Sequence, residues 1–300
     1  MKHWISFVAS AGCLAVLMWW TDATEVIARL RGADVTWFLL SLLALTAATC
    51  SMSRRWQMTA EAFGIRLSYP FALREYYLAQ LINTVLPGGV AGDVTRAVRA
   101  RRYIDLVRAA QSVVAERLLG QIAILGLMFA GFATAIFLPG GPEWGGLGWA
   151  VVMIMICCAA VAKFVARRDH ATGRFVVVLL QLLRRPFAIL HGTITTLCLI
   201  FGFYASARAI GVVIPVEAWA TMIPLILCAM LIPLSIAGWG WREGAAAALF
   251  PIIEAPASAG IATGITYGIA VFVAVLPAAV VLLTQNLFEN LSSKRNTDIP

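Results

Sequence analysis

Asp93, Glu116, Arg117, Arg242 and Glu243 are charges set inside or beside apolar sequence. An ionisable group in hydrocarbon costs about 2.5–3.5 kcal/mol on insertion scales, so it faces a partner, a cavity or water. Glu116-Arg117 lies inside an apolar run that continues to Phe137, and Arg242-Glu243 follows a glycine-rich break. Upstream, Tyr76, Gln80, Asn83 and Thr84 share one helical face at i, i+4, i+7 and i+8 spacing. Asp93, Arg96 and Arg99 recur every third residue, which again selects a face. A helix beginning near Asp93 would aim free backbone N–H groups and a positive dipole end at the same place. Such donors combined with guanidinium groups suit an anionic phosphate.

Two readings of these charges stand side by side. They pair with one another and fasten the chain, or they line a polar groove for a charged headgroup. In the second reading Arg96, Arg117 and Arg242 hold phosphate. Asp93, Glu116 and Glu243 orient them or meet a cationic headgroup, with Tyr76, Gln80 and Asn83 completing the lining.

Catalysis has thinner support. Asp93 and Glu116 are an acid–base candidate, but no nucleophile–base set accompanies them, so no catalytic residue is assigned and no enzyme is expected. The six cysteines (Cys13, Cys50, Cys157, Cys158, Cys198, Cys228) fall in apolar runs without CxxC spacing. His3, His170 and His191 are far apart, and no metal site is expected. The sequence has no G-x4-G-K-[ST] run, so neither a nucleotide nor any other cofactor is expected.

The elements that position these residues follow from composition. The chain of 300 residues is 61% hydrophobic and 13% charged, and its mean hydropathy is +0.86. Soluble domains run near about 25% charged, so the sequence predicts an all-α polytopic integral membrane protein. The net charge of +8 sits in short loops between apolar runs, which argues for membrane orientation and not for nucleic acid.

Six runs are long enough to cross about 30 Å of hydrocarbon: Trp4–Trp20, Val35–Met52, Ala109–Phe137, Leu147–Phe164, Ile189–Ala207 and Ala257–Gln285. The first, ending in an aromatic pair, reads as a retained span and not a cleaved signal. Arginines cluster after the second span (Arg54, Arg55, Arg66), before the third (Arg96, Arg99, Arg101, Arg102, Arg108), and between the fourth and fifth. The positive-inside bias then places both termini in the cytoplasm. Thr172–Leu190, basic and apolar in alternation, is expected on the cytoplasmic surface.

That parity requires two further apolar segments to enter and leave on one side. One runs from about residue 71 to 99 and breaks at Pro87, Gly88, Gly89 and Gly92; the other runs from about 216 to 253 and breaks at Pro233, Gly238, Gly240 and Gly244. Proline removes a donor and glycine permits tight turning, so both read as re-entrant helical hairpins. The expectation is a single membrane domain over residues 1–300, with halves 1–138 and 147–288 forming an inverted repeat, an architecture used by transporters. Gly260, Gly264 and Gly268 form a small-residue ridge for close helix packing within the chain, or for a homo-oligomer.

Asn83-Thr84-Val85-Leu86-Pro87-Gly88-Gly89-Val90-Ala91-Gly92-Asp93 with Arg96 resembles a hallmark of the lysylphosphatidylglycerol synthase transmembrane (flippase-like) family. Ser112-Val113-Val114-Ala115-Glu116-Arg117 and Gly238-Trp239-Gly240-Trp241-Arg242-Glu243-Gly244 are similar to two more of its motifs, in the family's order. The glycine-tryptophan run is more aromatic than the family pattern. The resemblance implies lipid translocation in a bacterial inner membrane. With no room for a synthase domain before Pro300, it gives no support to aminoacyl transfer. It leaves the cargo among anionic or aminoacylated phospholipids, hopanoids and polyprenyl-linked lipids. A lipid-modifying membrane enzyme and a scaffold subunit of a lipid pathway are the alternatives.

Overall fold

The computed structural model describes residues 12–13, 15–19, 21, 23–86, 88–102, 104–137, 145–167, 171–231 and 237–279. Its elements are helical: α1 (Ala23–Arg31), α2 (Val35–Ala62), α3 (Tyr69–Val85), α4 (Ala91–Ala100), α5 (Leu106–Phe137), α6 (Gly145–Ala166), α7 (Ala171–Leu183), α8 (Pro186–Ala209), α9 (Met222–Ala229), α10 (Trp241–Leu249) and α11 (Ala257–Val275). No strand occurs among the described residues. Among the described residues, four helical segments are long and apolar enough to cross a membrane: Val35–Ala62, Leu106–Ile136, Pro186–Ala209 and Ala257–Ala279. The expected fourth span coincides with α6, whose apolar stretch is Gly148–Val161. Most of Trp4–Trp20, the break prolines Pro87 and Pro233, His3, His170 and the chain beyond residue 279 lie outside the described residues.

The centre of the molecule is the pair α2 and α8, its most extensive helix contact. Small and hydroxylated residues let them approach. Ser41 Oγ donates to the Gly202 carbonyl at 2.8 Å and lies 3.0 Å from Ser206 Oγ. Asp34 opens α2 as an N-cap, accepting from Thr36 N and Trp37 N. Near that end Trp37 meets Tyr204 edge-on, and the Arg208 guanidinium lies 4.7 Å from the Trp37 ring, an arrangement suited to a membrane–water interface. Trp56 is then roughly 28 Å further along α2 at a rise of about 1.5 Å per residue.

Two helical hairpins flank this pair, and in each the two arms pack on one another: α3 with α4, and α9 with α10. The first turns through Gly88 (φ 88°) and Gly89 (φ 61°), left-handed positions that a side chain would strain. Its arms touch backbone to backbone, because a Cβ at Gly92 would collide with the Ala79 carbonyl. Asn83 Oδ1 accepts from Gly92 N at 2.7 Å and so closes the turn. In the second hairpin Gly240 (φ 90°) begins α10, and its N–H donates to Glu243 Oε2 at 2.6 Å.

Three boundaries differ from the sequence expectation. The second span does not stop at Met52: α2 continues to Ala62, which carries Arg54 and Arg55 into a helix. Nothing between Met52 and Phe63 breaks a helix, and Gly64 ends it. The first arm of the second hairpin does not start at Val216; a 3₁₀ turn, Val216–Ala218, precedes the short α9. The amphipathic segment ends at Leu183, and α8 begins at Pro186, where a proline at the first helical turn costs no hydrogen bond.

The glycine ridge is used within the chain. A Cβ at Gly260 would fall 2.5 Å from the Ala246 carbonyl, one at Gly264 3.0 Å from Glu243 Cγ, and one at Gly268 onto the Arg242 guanidinium. The face offered for a homo-oligomer is thus covered by α10.

Candidate functional site

Three elements converge on Glu116 of α5, which is completely buried. From α2, Arg55 donates to Glu116 Oε1 through Nε (3.1 Å) and Nη2 (2.7 Å). From α3, the Tyr76 hydroxyl lies 3.2 Å from each carboxylate oxygen. From α4, Arg96 Nη2 reaches Glu116 Oε2 at 3.2 Å and Asp93 Oδ1 at 3.1 Å. Arg117, next in α5, pairs with Asp93 and donates to the Gly89 carbonyl at 2.8 Å, so it clasps the turn of the first hairpin. The Arg96 guanidinium lies between two aromatic faces, 4.6 Å from the Trp56 ring and 4.4 Å from the Tyr76 ring, a favourable cation–π setting.

Charge and hydrogen bonding here do not balance. Three guanidinium cations (Arg55, Arg96, Arg117) face two carboxylates (Asp93, Glu116). Arg55 Nη1, Arg96 Nε, Arg96 Nη1 and Thr195 Oγ1 are buried without a hydrogen-bond partner. A buried donor left unmatched costs about 1–3 kcal/mol, more when charged. All three residues line one cavity of about 340 Å³ with Thr49, Tyr76, Gln80, Asn83, Asp93, Glu116, Arg117 and Gln121. Its far wall is apolar and comes from the second half of the chain, including Leu199, Leu227, Tyr267 and Val271. A second cavity of about 490 Å³ shares Gln80, Asn83, Arg117 and Gln121, and extends past Gly88, Gly89 and Val90 to Ala237 and Gly238. Arg117 borders both.

Of the nine expected headgroup residues, seven line the first cavity: Tyr76, Gln80, Asn83, Asp93, Arg96, Glu116 and Arg117. Arg242 and Glu243 are not among its lining residues. Both are buried, and Arg242 donates to Glu243 Oε1 through Nε and Nη2. Arg242 lies 5.0 Å from the Trp239 ring and 5.7 Å from that of Tyr267, and only Tyr267 reaches the cavity wall. Thr84 Oγ1 turns back to its own helix, donating to the Gln80 carbonyl. Arg99 also leaves the polar face, pairing with the buried Glu75 at 2.8 Å.

Arg55, Trp56, Gly120 and Thr195 belong to the site without having been anticipated. Arg55 looks like a loop arginine because it follows an apolar run, yet the unbroken helical sequence up to Gly64 and the need of Glu116 for a partner both point to it. Gly120 lies one turn beyond Glu116, and a Cβ there would stand 2.6 Å from Arg55 Nη2. That space is what admits the guanidinium.

Among the described residues no group of three or more His, Cys, Asp or Glu is arranged to hold a metal ion. The arrangement instead suits an oxyanion: unmatched N–H and O–H donors, one surplus cation, and a cavity of headgroup size.

Against curated proteins the chain finds no match. A family model described as the lysylphosphatidylglycerol synthase TM region does match it, over residues 4–279. Four long apolar helices and a match over most of its length make this a multi-pass membrane protein, and the chain belongs to the lysylphosphatidylglycerol synthase TM region family, whose setting is lipid metabolism or transport.

Proposed function

We propose that this protein is a flippase-like lipid transporter of a bacterial inner membrane, moving a phospholipid or other anionic-headgroup lipid between leaflets, and not an enzyme. One observation carries the reading. Arg55, Arg96 and Arg117 converge over two carboxylates in a cavity, with buried guanidinium N–H groups left unmatched. A phosphate would supply acceptors and the missing negative charge together. The headgroup occupies the cavity while the tails stay in lipid, which avoids moving a bare charge through hydrocarbon. Glu116 is poorly placed as a free general base, since both its oxygens already accept hydrogen bonds.

The membrane architecture is part of the proposal: six spans, two re-entrant hairpins and an inverted repeat, with both termini cytoplasmic. The hairpin arms α3, α4, α9 and α10 have 17, 10, 8 and 9 residues, and at about 1.5 Å per residue none reaches across about 30 Å. The packing supports the repeat, because contacts pair off between halves. As α2 packs on α3 and α5, α8 packs on α9 and α11. As α11 packs on α1, α2 and α3 of the other half, α5 packs on α7, α8 and α9.

The test is leaflet-to-leaflet transfer of tail-labelled lipids in proteoliposomes. Arg117→Gln leaves two cations against two carboxylates. It is expected to lower the ratio of anionic to zwitterionic transfer by about tenfold or more, the loss of one charge-assisted contact. A variant that keeps both the rate and the headgroup preference of the wild type overturns the assignment.

A further inference from the structure

Arg55 stands at a second boundary. Besides lining the headgroup cavity, it lines a small cavity of about 40 Å³ with Met58, Thr59, Glu61, Leu182 and Arg185. That space has room for about one water, and it lies at the end of α2 and the start of α8, where Glu61 and Arg185 are exposed. Arg55, the ion-pair partner of Glu116, therefore stands between the headgroup cavity and a short path toward the surface.

We propose that Glu116 is a proton site, and that the protein takes up a proton together with its anionic lipid. The inference rests on the transport reading above and adds the coupling ion. An arriving phosphate and the Glu116 carboxylate compete for the same donors on Arg55 and Arg96. At rest Glu116 holds both arginines and is ionised. A bound phosphate takes their N–H groups and places a second negative charge beside Glu116. Two anions sharing one dry site favour protonation of one of them. Glu116 binds one proton from the aqueous side, becomes a neutral acid and releases its share of the guanidinium groups to the lipid. Proton and lipid then bind cooperatively, each raising the affinity of the other by the same factor. When the lipid departs, the arginines recapture the carboxylate and the proton is released.

Other titratable groups around Glu116 have other engagements. On α3, Tyr76 donates to it. On α4, Asp93 is held by Arg96 and Arg117 and has a different cation, Arg117, largely to itself. On α8, Thr195 and Thr196 face the cavity, and His191 lies 3.0 Å from Ser51 Oγ. Cys228 of α9 and Tyr267 of α11 lie in the far wall. Among the described carboxylates, only Glu116 forms an ion pair with Arg55, the residue that both cavities share.

The experiment uses the whole chain in liposomes, fluorescent phosphatidylglycerol as the probe lipid and pyranine inside to follow protons. With a pH gradient, labelled lipid is expected to gather in the leaflet on the alkaline side, to about tenfold excess per pH unit for one proton per lipid. Acid is expected to move the same way only when the anionic lipid is present. Glu116→Gln is expected to lose the response to the gradient whatever its rate, and Glu217→Gln, at an exposed carboxylate outside the cavity, to keep it. Wild-type transfer that equilibrates regardless of the gradient, with no pyranine signal, overturns proton coupling and leaves the transport reading standing. A response kept in Glu116→Gln also overturns it. Absence of lipid transfer under every condition overturns both readings.

Discussion

The two hairpins hold similar residues and use them in opposite ways. In the first, Arg96 and Asp93 face a cavity, share partners with two other helices, and leave donors unmatched. In the second, Arg242 and Glu243 satisfy each other and are sealed against Gly264 and Gly268. Backbone contact differs in the same sense. Gly92 brings the arms of the first hairpin together, whereas Gly260 brings the second hairpin against the following span. A scaffold with matching packing in its halves therefore carries unmatched chemistry: one hairpin leaves donors open and the other is a brace. An arginine–carboxylate pair in each hairpin is told apart by whether its hydrogen bonds close locally.

The largest break of this comparison is at Gly92. Gly92→Ala places a methyl group on the Ala79 backbone, which cannot swing aside as a side chain does. Separating α3 from α4 is expected to cost about 3 kcal/mol or more, seen as loss of folded protein or a large fall in thermal midpoint in detergent. Gly264→Ala meets Glu243 less closely, 3.0 Å from its Cγ and 3.2 Å from its Cα, and is expected to cost about 1 kcal/mol. Equal effects at the two positions would remove the distinction between a hairpin closed on itself and one leaning on its neighbour.

Next in size is Gly120→Ala. Its methyl group would displace the Arg55 guanidinium while leaving every charge in place. Transfer of anionic lipid is expected to fall by about tenfold, the order set by a sub-ångström to one-ångström misplacement, together with an overpacking cost of about 1–3 kcal/mol in stability. An unchanged rate would show that Arg55 serves only to neutralise Glu116.

What the sequence made legible follows from what apolar length and helix breakers report. Helix positions such as Phe137 and Ala257, the break at Gly88-Gly89 and the suspicious charge at Glu116 all rest on depth along the chain. Arg55 escaped because a rule that assigns arginines beside an apolar run to a loop carries no information about where a helix stops. Arg242 and Glu243 looked like partners of Arg96 and Arg117 because depth is readable from hydropathy while azimuth is not. Only packing shows that Gly264 and Gly268 hold them on the other side of Tyr267. The later start of α9 has a related reason: Val216–Thr221 is apolar enough to extend a helix, but it turns through a 3₁₀ segment.

Tyr76→Phe is a smaller change on the cavity side. It removes one donor from Glu116 and keeps the ring under Arg96. A hydrogen bond to a charged group contributes about 1.5–3 kcal/mol, so a loss at the lower end is expected in thermal stability, with transfer reduced only a few-fold. Stability equal to wild type would indicate that another donor, such as water, replaces the hydroxyl.

The smallest expected effect is the most discriminating. In Arg242→Met with Glu243→Gln, both charges of the second hairpin disappear together, so no buried ion is stranded. The glutamine oxygen can still accept from Gly240 N, where Glu243 Oε2 now lies at 2.6 Å. Replacing a complete buried pair by less polar groups of similar size is often neutral or stabilising by about 1–4 kcal/mol. The double variant is therefore expected to fold at least as well as wild type and to transfer anionic lipid within about twofold of it. The single Arg242→Met leaves Glu243 as an uncompensated buried anion and is expected to lose about 3–5 kcal/mol. If the double variant folds but no longer transfers lipid, the second pair acts on cargo during the cycle and the two hairpins are functionally alike. If it transfers normally, the charges that matter are the ones whose hydrogen bonds the protein leaves open.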